Sequence, residues 1–94
     1  MFNEILKKRF AGKKVLIMGL GLQGGGAGAA HFFASCGAKL TITDAKKKSE
    51  LAPVLQKMKD ISYRQVFGRH NLKDFLSTEY IFKNPSVRWG NYYI

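Results

Sequence analysis

This 94-residue sequence has few of the residues that support several specialised kinds of structure. Its single cysteine, Cys36, rules out a disulfide within the chain, which suits a reducing compartment. Its longest apolar run is far shorter than a membrane span requires. The first ten residues lack the apolar stretch and small-residue cleavage site of a signal peptide. We therefore expect a cytoplasmic protein that does not associate with a membrane.

Acidic residues are also scarce, with 6 Asp and Glu against 16 Lys and Arg, a net charge of +10. His31 and His70 have no cysteine partners at ligand spacing, so no metal site is predicted. A surface this basic attracts polyanions, and a nucleic-acid-binding domain is one alternative. The basic residues are spread along the chain, however, and no run is longer than three, as at Lys46–Lys48. No DNA- or RNA-binding motif is present, so we expect no nucleic-acid partner.

Hydrophobic residues make up 46% of the chain, enough for a compact core, and the length predicts a single domain over residues 1–94. Apolar periodicity alternates between strand and helix from start to finish. Strands are predicted at Val15–Met18, Lys39–Thr43, Tyr63–Phe67 and Tyr80–Phe82. Helical segments are predicted at 2–10, at Ala27–Cys36 before Gly37, and at Asn71–Phe75. Another helix is predicted from an N-cap at Ser49, with Pro53 in its first turn. Its apolar stripe consists of Leu51, Val54, Leu55 and Met58. For segment 2–10, a membrane-surface helix is a less favoured alternative to a helix packed on the domain.

Strands joined by helical crossovers predict an α/β, Rossmann-like parallel sheet of about four strands flanked by helices. Because such crossovers are right-handed, the expected strand order is 3-2-1-4.

The segment Gly19–Gly24 matches G-x-G-x-x-G between a strand and a helix, the context in which this motif binds nucleotides. Glycines let a ligand approach the backbone, and the helix N-terminus offers N–H groups to a diphosphate. Asp44, 20 residues after Gly24, ends the second strand and could accept hydrogen bonds from a ribose or base. The pattern does not distinguish NAD from another diphosphate ligand. A purely structural turn and an Asp44 that caps the following loop are the alternatives.

Further short segments recur in order along the chain: Gly12–Val15 leading to Gly19–Gly21, Gly37-Ala38, Thr43-Asp44, Gly68-Arg69-His70 and Lys83–Val87. Together they resemble the N-terminal domain of the Mur ligases, the peptidoglycan ligases, and most of all the D-glutamate-adding (MurD) type. The resemblance covers about residues 12–94. An L-alanine-adding Mur ligase is an alternative, although its loop is usually richer in glycine. A dinucleotide-binding module of a dehydrogenase or channel regulator shares the loop and Asp44 but does not explain the Gly68–His70 and Asn84-Pro85 segments.

The resemblance implies that this domain holds the UDP part of UDP-N-acetylmuramoyl-L-alanine rather than NAD. The implied diphosphate contacts come from the glycine-rich loop, at Gly21, Leu22, Gln23 and Gly24. The implied uridine contacts come from the ends of the second and fourth strands, at Asp44, Ala45, Lys46, Asn84, Pro85 and Ser86. Ser86 stands where the family usually has glycine, which puts one backbone contact in doubt.

The chemistry of ligation is not encoded in this chain. No G-x-x-x-x-G-K-[ST] phosphate loop is present, so no cofactor is expected here, and ATP and Mg²⁺ are implied for other domains of a full-length enzyme. No catalytic residue is predicted, because Ser35, Cys36 and Thr43 have no base arranged beside them. We interpret His31 and His70 as structural residues.

The chain ends on the apolar cluster Tyr92-Tyr93-Ile94, and the family domain usually adds a helix and a fifth strand after this point. We therefore expect the natural protein to continue into the remaining ligase domains. An apolar surface left uncovered would favour self-association of the chain.

Overall fold

The computed structural model describes residues 2–21 and 25–84. Four parallel strands form one sheet in the order β3-β2-β1-β4, as the sequence predicts. The strands are β1 (Lys14–Met18), β2 (Lys39–Asp44), β3 (Arg64–Phe67) and β4 (Tyr80–Lys83). The helices are α1 (Phe2–Phe10), α2 (Gly25–Ser35), α3 (Lys48–Gln56) and α4 (Leu72–Ser77). The predicted α/β, Rossmann-like class is confirmed.

The hydrophobic core lies on one face of the sheet, under α2 and α3. Val15 and Ile17 of the central strand β1 pack there, and both are essentially inaccessible to solvent. α1 attaches to this layer through Phe10, whose ring meets those of Phe33 and Tyr80 edge to face at 5.0 Å in each case. The helix at 2–10 therefore ends in an aromatic cluster on the domain, which favours a packed helix over a membrane-surface one.

The opposite face of the sheet is covered less completely. Side chains alternate along a strand, so Leu16 and Met18 point away from the main core toward the side on which α4 packs. Leu72 and Leu76 of α4 are 48% and 77% exposed, and Ile81 of β4 is 43% exposed. Three of the five large apolar side chains that are exposed among the described residues thus belong to α4 and β4. Within residues 2–21 and 25–84, none of the helices has both the length and the apolar character that a membrane span requires.

Two details of the predicted third helix are wrong. α3 begins at Lys48, so Ser49 lies inside the helix instead of capping it. The backbone N–H of Lys47 donates to Oε1 of Glu50 at 3.1 Å, so the glutamate of the first turn reaches back to cap the helix. Pro53 consequently lies beyond the first turn, inside the helix.

The other differences are shifts of one or two residues at element ends. α2 starts at Gly25, before the expected Ala27, and β3 starts at Arg64, after the expected Tyr63. Met58 is fully buried in the turn that follows α3. Gly37 takes the expected left-handed conformation after α2.

Candidate functional site

The candidate site lies at the carboxyl edge of the sheet, where the strand order reverses. From the central strand β1 the chain crosses first to β2 on one side and later to β4 on the other. Open α/β sheets bind ligands outside the carboxyl ends of their strands at such a reversal. The glycine-rich loop follows β1 there, with Asp44 ending β2 and Asn84 following β4. The fold therefore brings together all the described residues that the sequence predicts for the site.

Asp44 and Asn84 hold the peptide groups of Leu20 from the two neighbouring strands. The Leu20 N–H donates to Oδ2 of Asp44 at 2.9 Å, and Nδ2 of Asn84 donates to the Leu20 carbonyl at 3.1 Å. Gly26, in the first turn of α2, donates its N–H to the same carbonyl at 2.9 Å. Asp44 and Asn84 are each only 6% exposed. We call this arrangement the Leu20 clamp; it fixes the start of the loop relative to the sheet.

The second oxygen of Asp44 binds the backbone of the loop after β2. Its Oδ1 accepts a hydrogen bond from the N–H of Lys46 at 2.8 Å, an aspartate turn of the usual local kind. One of the two oxygens of Asp44 therefore caps the following loop, as in the alternative named from the sequence. A carboxylate has about four acceptor positions, so these two bonds leave room for a ligand donor.

The glycine loop passes close to Asn84. Gly21 has a φ of +70°, and a Cβ added to it would lie 3.1 Å from Nδ2 of Asn84. A side chain at Gly21 would strain the backbone and would crowd the Asn84 side chain of the Leu20 clamp.

Five of the predicted ligand contacts lie outside the described residues, namely Leu22, Gln23, Gly24, Pro85 and Ser86.

Ala45 and Lys46 lie beside Asp44 on the surface. Both are exposed, as are the neighbouring Lys47 and Lys48. The rim of the site next to β2 is therefore positively charged, which favours an anionic ligand.

His70 forms a contact that sequence reasoning missed. Its Nδ1 lies 2.8 Å from the hydroxyl oxygen of Thr43, which is fully buried on β2 directly before Asp44. Its ring packs against Phe75 of α4 at 6.1 Å. The structural interpretation of His70 stays a prediction, and this contact supports it. The pairing of β2 with β3 brings His70 to the site, and the sequence does not show that pairing directly.

The environment of His70 predicts a pH effect. Burial lowers the pKa of His70 from its ordinary value of 6.5, and the nearby Asp44 carboxylate opposes this shift without cancelling it. The unfolded chain therefore binds more protons than the folded chain once the pH falls below 6.5, and stability decreases in that range. We expect the melting temperature to fall more steeply below pH 6.5 in the wild type than in His70→Asn, measured by circular dichroism. Parallel profiles for the two proteins would contradict this assignment.

The other residues considered from the sequence, His31, Ser35 and Cys36, are bonded to the backbone or buried in the fold. Nε2 of His31 lies 2.8 Å from the Lys57 carbonyl, which ties α2 to the turn after α3, and the Ser35 hydroxyl donates to the Phe32 carbonyl. Cys36 is buried. The described residues contain no group of three potential metal ligands.

A cavity of about 230 Å³ lies at the opposite, amino end of the strands, beside the ion pair of Arg64 and Asp74. We nevertheless place the site at the carboxyl edge, because ligands of parallel α/β sheets bind there.

Comparison with known proteins finds relatives that carry one enzyme name. Over 81 residues the chain is 44% identical to the UDP-N-acetylmuramoylalanine–D-glutamate ligase of Borreliella afzelii, a match that covers 84% of the chain. The enzymes of the same name from Treponema pallidum and a Roseiflexus species are 45% and 38% identical over 82% and 92% of the chain. The chain is similar to D-glutamate-adding Mur ligases over most of its length. The resemblance expected from its motifs is thereby confirmed, although no family profile matches.

The chain corresponds to only part of these D-glutamate ligases. It spans 18% of the Borreliella afzelii enzyme, 15% of the Treponema pallidum enzyme and 18% of the Roseiflexus enzyme. The similarity therefore concerns a segment that contains the glycine-rich loop and the sheet, not a whole ligase.

Proposed function

We propose that residues 1–94 form a single domain that binds the UDP end of UDP-N-acetylmuramoyl-L-alanine in a D-glutamate-adding peptidoglycan ligase. The observation that carries the proposal is the Leu20 clamp. It holds a glycine-rich loop at the reversal point of a parallel sheet, in a chain similar to D-glutamate ligases. Such a loop presents backbone N–H groups and the N-terminus of a helix to a diphosphate.

Each part of the site has a distinct role in this proposal. Gly21, Leu22, Gln23 and Gly24 surround the diphosphate with backbone groups. The remaining acceptor positions of Asp44 receive a donor from the uridine, and Ala45 and Lys46 flank it. Asn84, Pro85 and Ser86 border the uridine from the β4 side. The domain anchors one end of a long substrate so that its reacting end is held elsewhere.

Catalysis would belong to other parts of a full-length, cytoplasmic enzyme. There the muramoyl-alanine carboxylate would be phosphorylated at the expense of ATP with Mg²⁺ present, and the amine of D-glutamate would displace the phosphate to form the amide bond. This chain has neither a phosphate-binding loop of the G-x-x-x-x-G-K-[ST] type nor, among its described residues, a group of metal ligands. We therefore assign ATP and Mg²⁺ to other domains and expect no ligase activity from these 94 residues alone.

A thermal-shift titration tests the proposal. A ligand that binds only the folded state raises its stability by mass action. We expect UDP-N-acetylmuramoyl-L-alanine and UDP to raise the melting temperature and NAD to have no effect. Stabilisation by NAD alone would contradict the proposal and favour a dinucleotide-binding module. Stabilisation by DNA that disappears with added salt, without any effect of UDP, would favour a nucleic-acid-binding domain.

Two exposed lysines provide a matched pair of variants for this titration. Lys46→Ala removes a charge beside Asp44 and should weaken UDP binding by roughly tenfold, because a charged hydrogen bond contributes about 1.5 kcal/mol. Lys48→Ala removes the same charge at the start of α3 and should bind nearly as the wild type does. Equal losses for both variants would mean that the lysines act only through the overall charge.

Self-association remains a prediction, because Tyr92, Tyr93 and Ile94 lie outside the described residues. The exposed side chains of Leu72, Leu76 and Ile81 are consistent with it. Sedimentation velocity at high protein concentration tests it, and a clean monomer would contradict it.

A further inference from the structure

The segment Gly68-Arg69-His70 forms a second attachment to the end of β2. The Gly68 N–H donates to the carbonyls of both Asp44 and Lys46 at 2.9 Å, and Arg69 forms an antiparallel bridge with Asp44. The backbone of Asp44 and of the turn after it is thus held by the segment that follows β3.

The side chain of Thr43 completes this attachment. Its hydroxyl lies 2.8 Å from Nδ1 of His70 and 3.2 Å from the Arg69 carbonyl, which accepts a hydrogen bond from it. Thr43 is fully buried, so water cannot replace a hydrogen-bond partner that its hydroxyl loses. Its backbone carbonyl also accepts from the Gly19 N–H at 2.8 Å, at the start of the glycine loop.

The side chains of Thr43 and Asp44 lie on opposite faces of β2, because successive side chains of a strand alternate. On one face Thr43 holds the Arg69-His70 segment, and on the other the Asp44 carboxylate holds the N–H of Leu20. The carboxylate can hold the glycine loop in place only while its own backbone is fixed.

We propose that Thr43 and His70 are positioning residues of the nucleotide site, which fix Asp44 and through it the glycine-rich loop. The proposal rests on the proposed function as far as the ligand is concerned. The link between Thr43, Asp44 and the Leu20 amide can be tested without any ligand.

Thr43→Val is the decisive variant, because valine keeps the shape and removes the hydroxyl. Thr43→Ser restores the hydroxyl, and Thr41→Val is a matched control on the same strand and face, at the amino-end cavity. His70→Phe keeps a ring against Phe75 and removes Nδ1, so it provides a second variant if Thr43→Val does not fold.

Two measurements separate positioning from general stability. Amide hydrogen exchange without ligand should become about tenfold faster at Leu20 and Lys46 in Thr43→Val and His70→Phe, while the amide of Ile17 in the core is unchanged. Affinity for UDP-N-acetylmuramoyl-L-alanine, measured by calorimetry well below the melting temperature, should fall about tenfold in the same variants. Thr43→Ser and Thr41→Val should match the wild type in both measurements.

Unchanged exchange at Leu20 and Lys46 in both Thr43→Val and His70→Phe would overturn the positioning role. Equal acceleration throughout the core would also overturn it, because the bond would then be merely structural. If the wild type binds no UDP ligand while exchange responds as expected, the proposed function fails and the linkage of Thr43 and His70 to the glycine loop stands.

Discussion

Replacing Gly26 by alanine is expected to lower the free energy of unfolding by about 3 kcal/mol and to abolish binding of the UDP ligands. A Cβ at Gly26 would lie 2.5 Å from Cα of Leu20 and 2.6 Å from the carbonyl oxygens of Gly19 and Leu20. All three atoms belong to the backbone, so no side chain can turn aside, and either α2 or the glycine loop has to move. Urea unfolding and the UDP titration measure the two effects.

Gly28→Ala is the matched control two residues further along α2. A Cβ at Gly28 meets nothing within 4 Å, and the residue is exposed. Alanine favours a helix over glycine by about 1 kcal/mol, so this variant should be slightly more stable than the wild type and bind UDP equally well. Similar behaviour of the two variants would mean that α2 does not pack on Leu20 as described.

Replacing Asp44 by alanine should lower the free energy of unfolding by about 3 kcal/mol, because two backbone N–H groups lose a charged acceptor. One of them, at Leu20, is buried and cannot turn to water instead. Asp44→Asn should recover part of this loss, since its amide oxygen accepts one bond while its amide nitrogen faces another donor. Binding of UDP-N-acetylmuramoyl-L-alanine should be lost in the alanine variant and weakened in the asparagine variant.

Asp60→Ala provides the control for a lost aspartate, because Asp60 is exposed in the turn after α3. Its stability and affinity should lie close to those of the wild type. If Asp44→Ala were as stable as Asp60→Ala, the Leu20 clamp would not hold the loop in solution.

The sheet could be predicted from the sequence because each strand has a strong local signal. Val15–Met18 is a short continuous apolar run ending at a glycine, which predicts a strand buried on both faces, and the crossover rule then predicts the strand order. Helix ends were less predictable. Ser49 is the better capping residue by preference, but the reach of Glu50 back to Lys47 decided where α3 begins.

The site could be predicted in its residues but not in its connections. The motif identified Asp44 and the resemblance identified Asn84, yet neither indicates that both side chains bind the peptide groups of Leu20. Those bonds depend on the register of β2 and β4 against β1. The bonded residues are 24 and 64 positions apart in sequence. Thr43 and His70, 27 residues apart, meet for the same reason.

The placement of β1 between β2 and β4 has a consequence during synthesis on the ribosome. β1 gains its first neighbour once β2 has emerged, but its other edge remains open until residues 80–83 appear. The N-terminal half can therefore collapse early around α2 and β2, whereas the Asn84 half of the Leu20 clamp can form only after nearly all of this segment has left the exit tunnel. A nascent chain paused before that point would expose an unpaired edge of its most hydrophobic strand, which could pair with the edge of another chain.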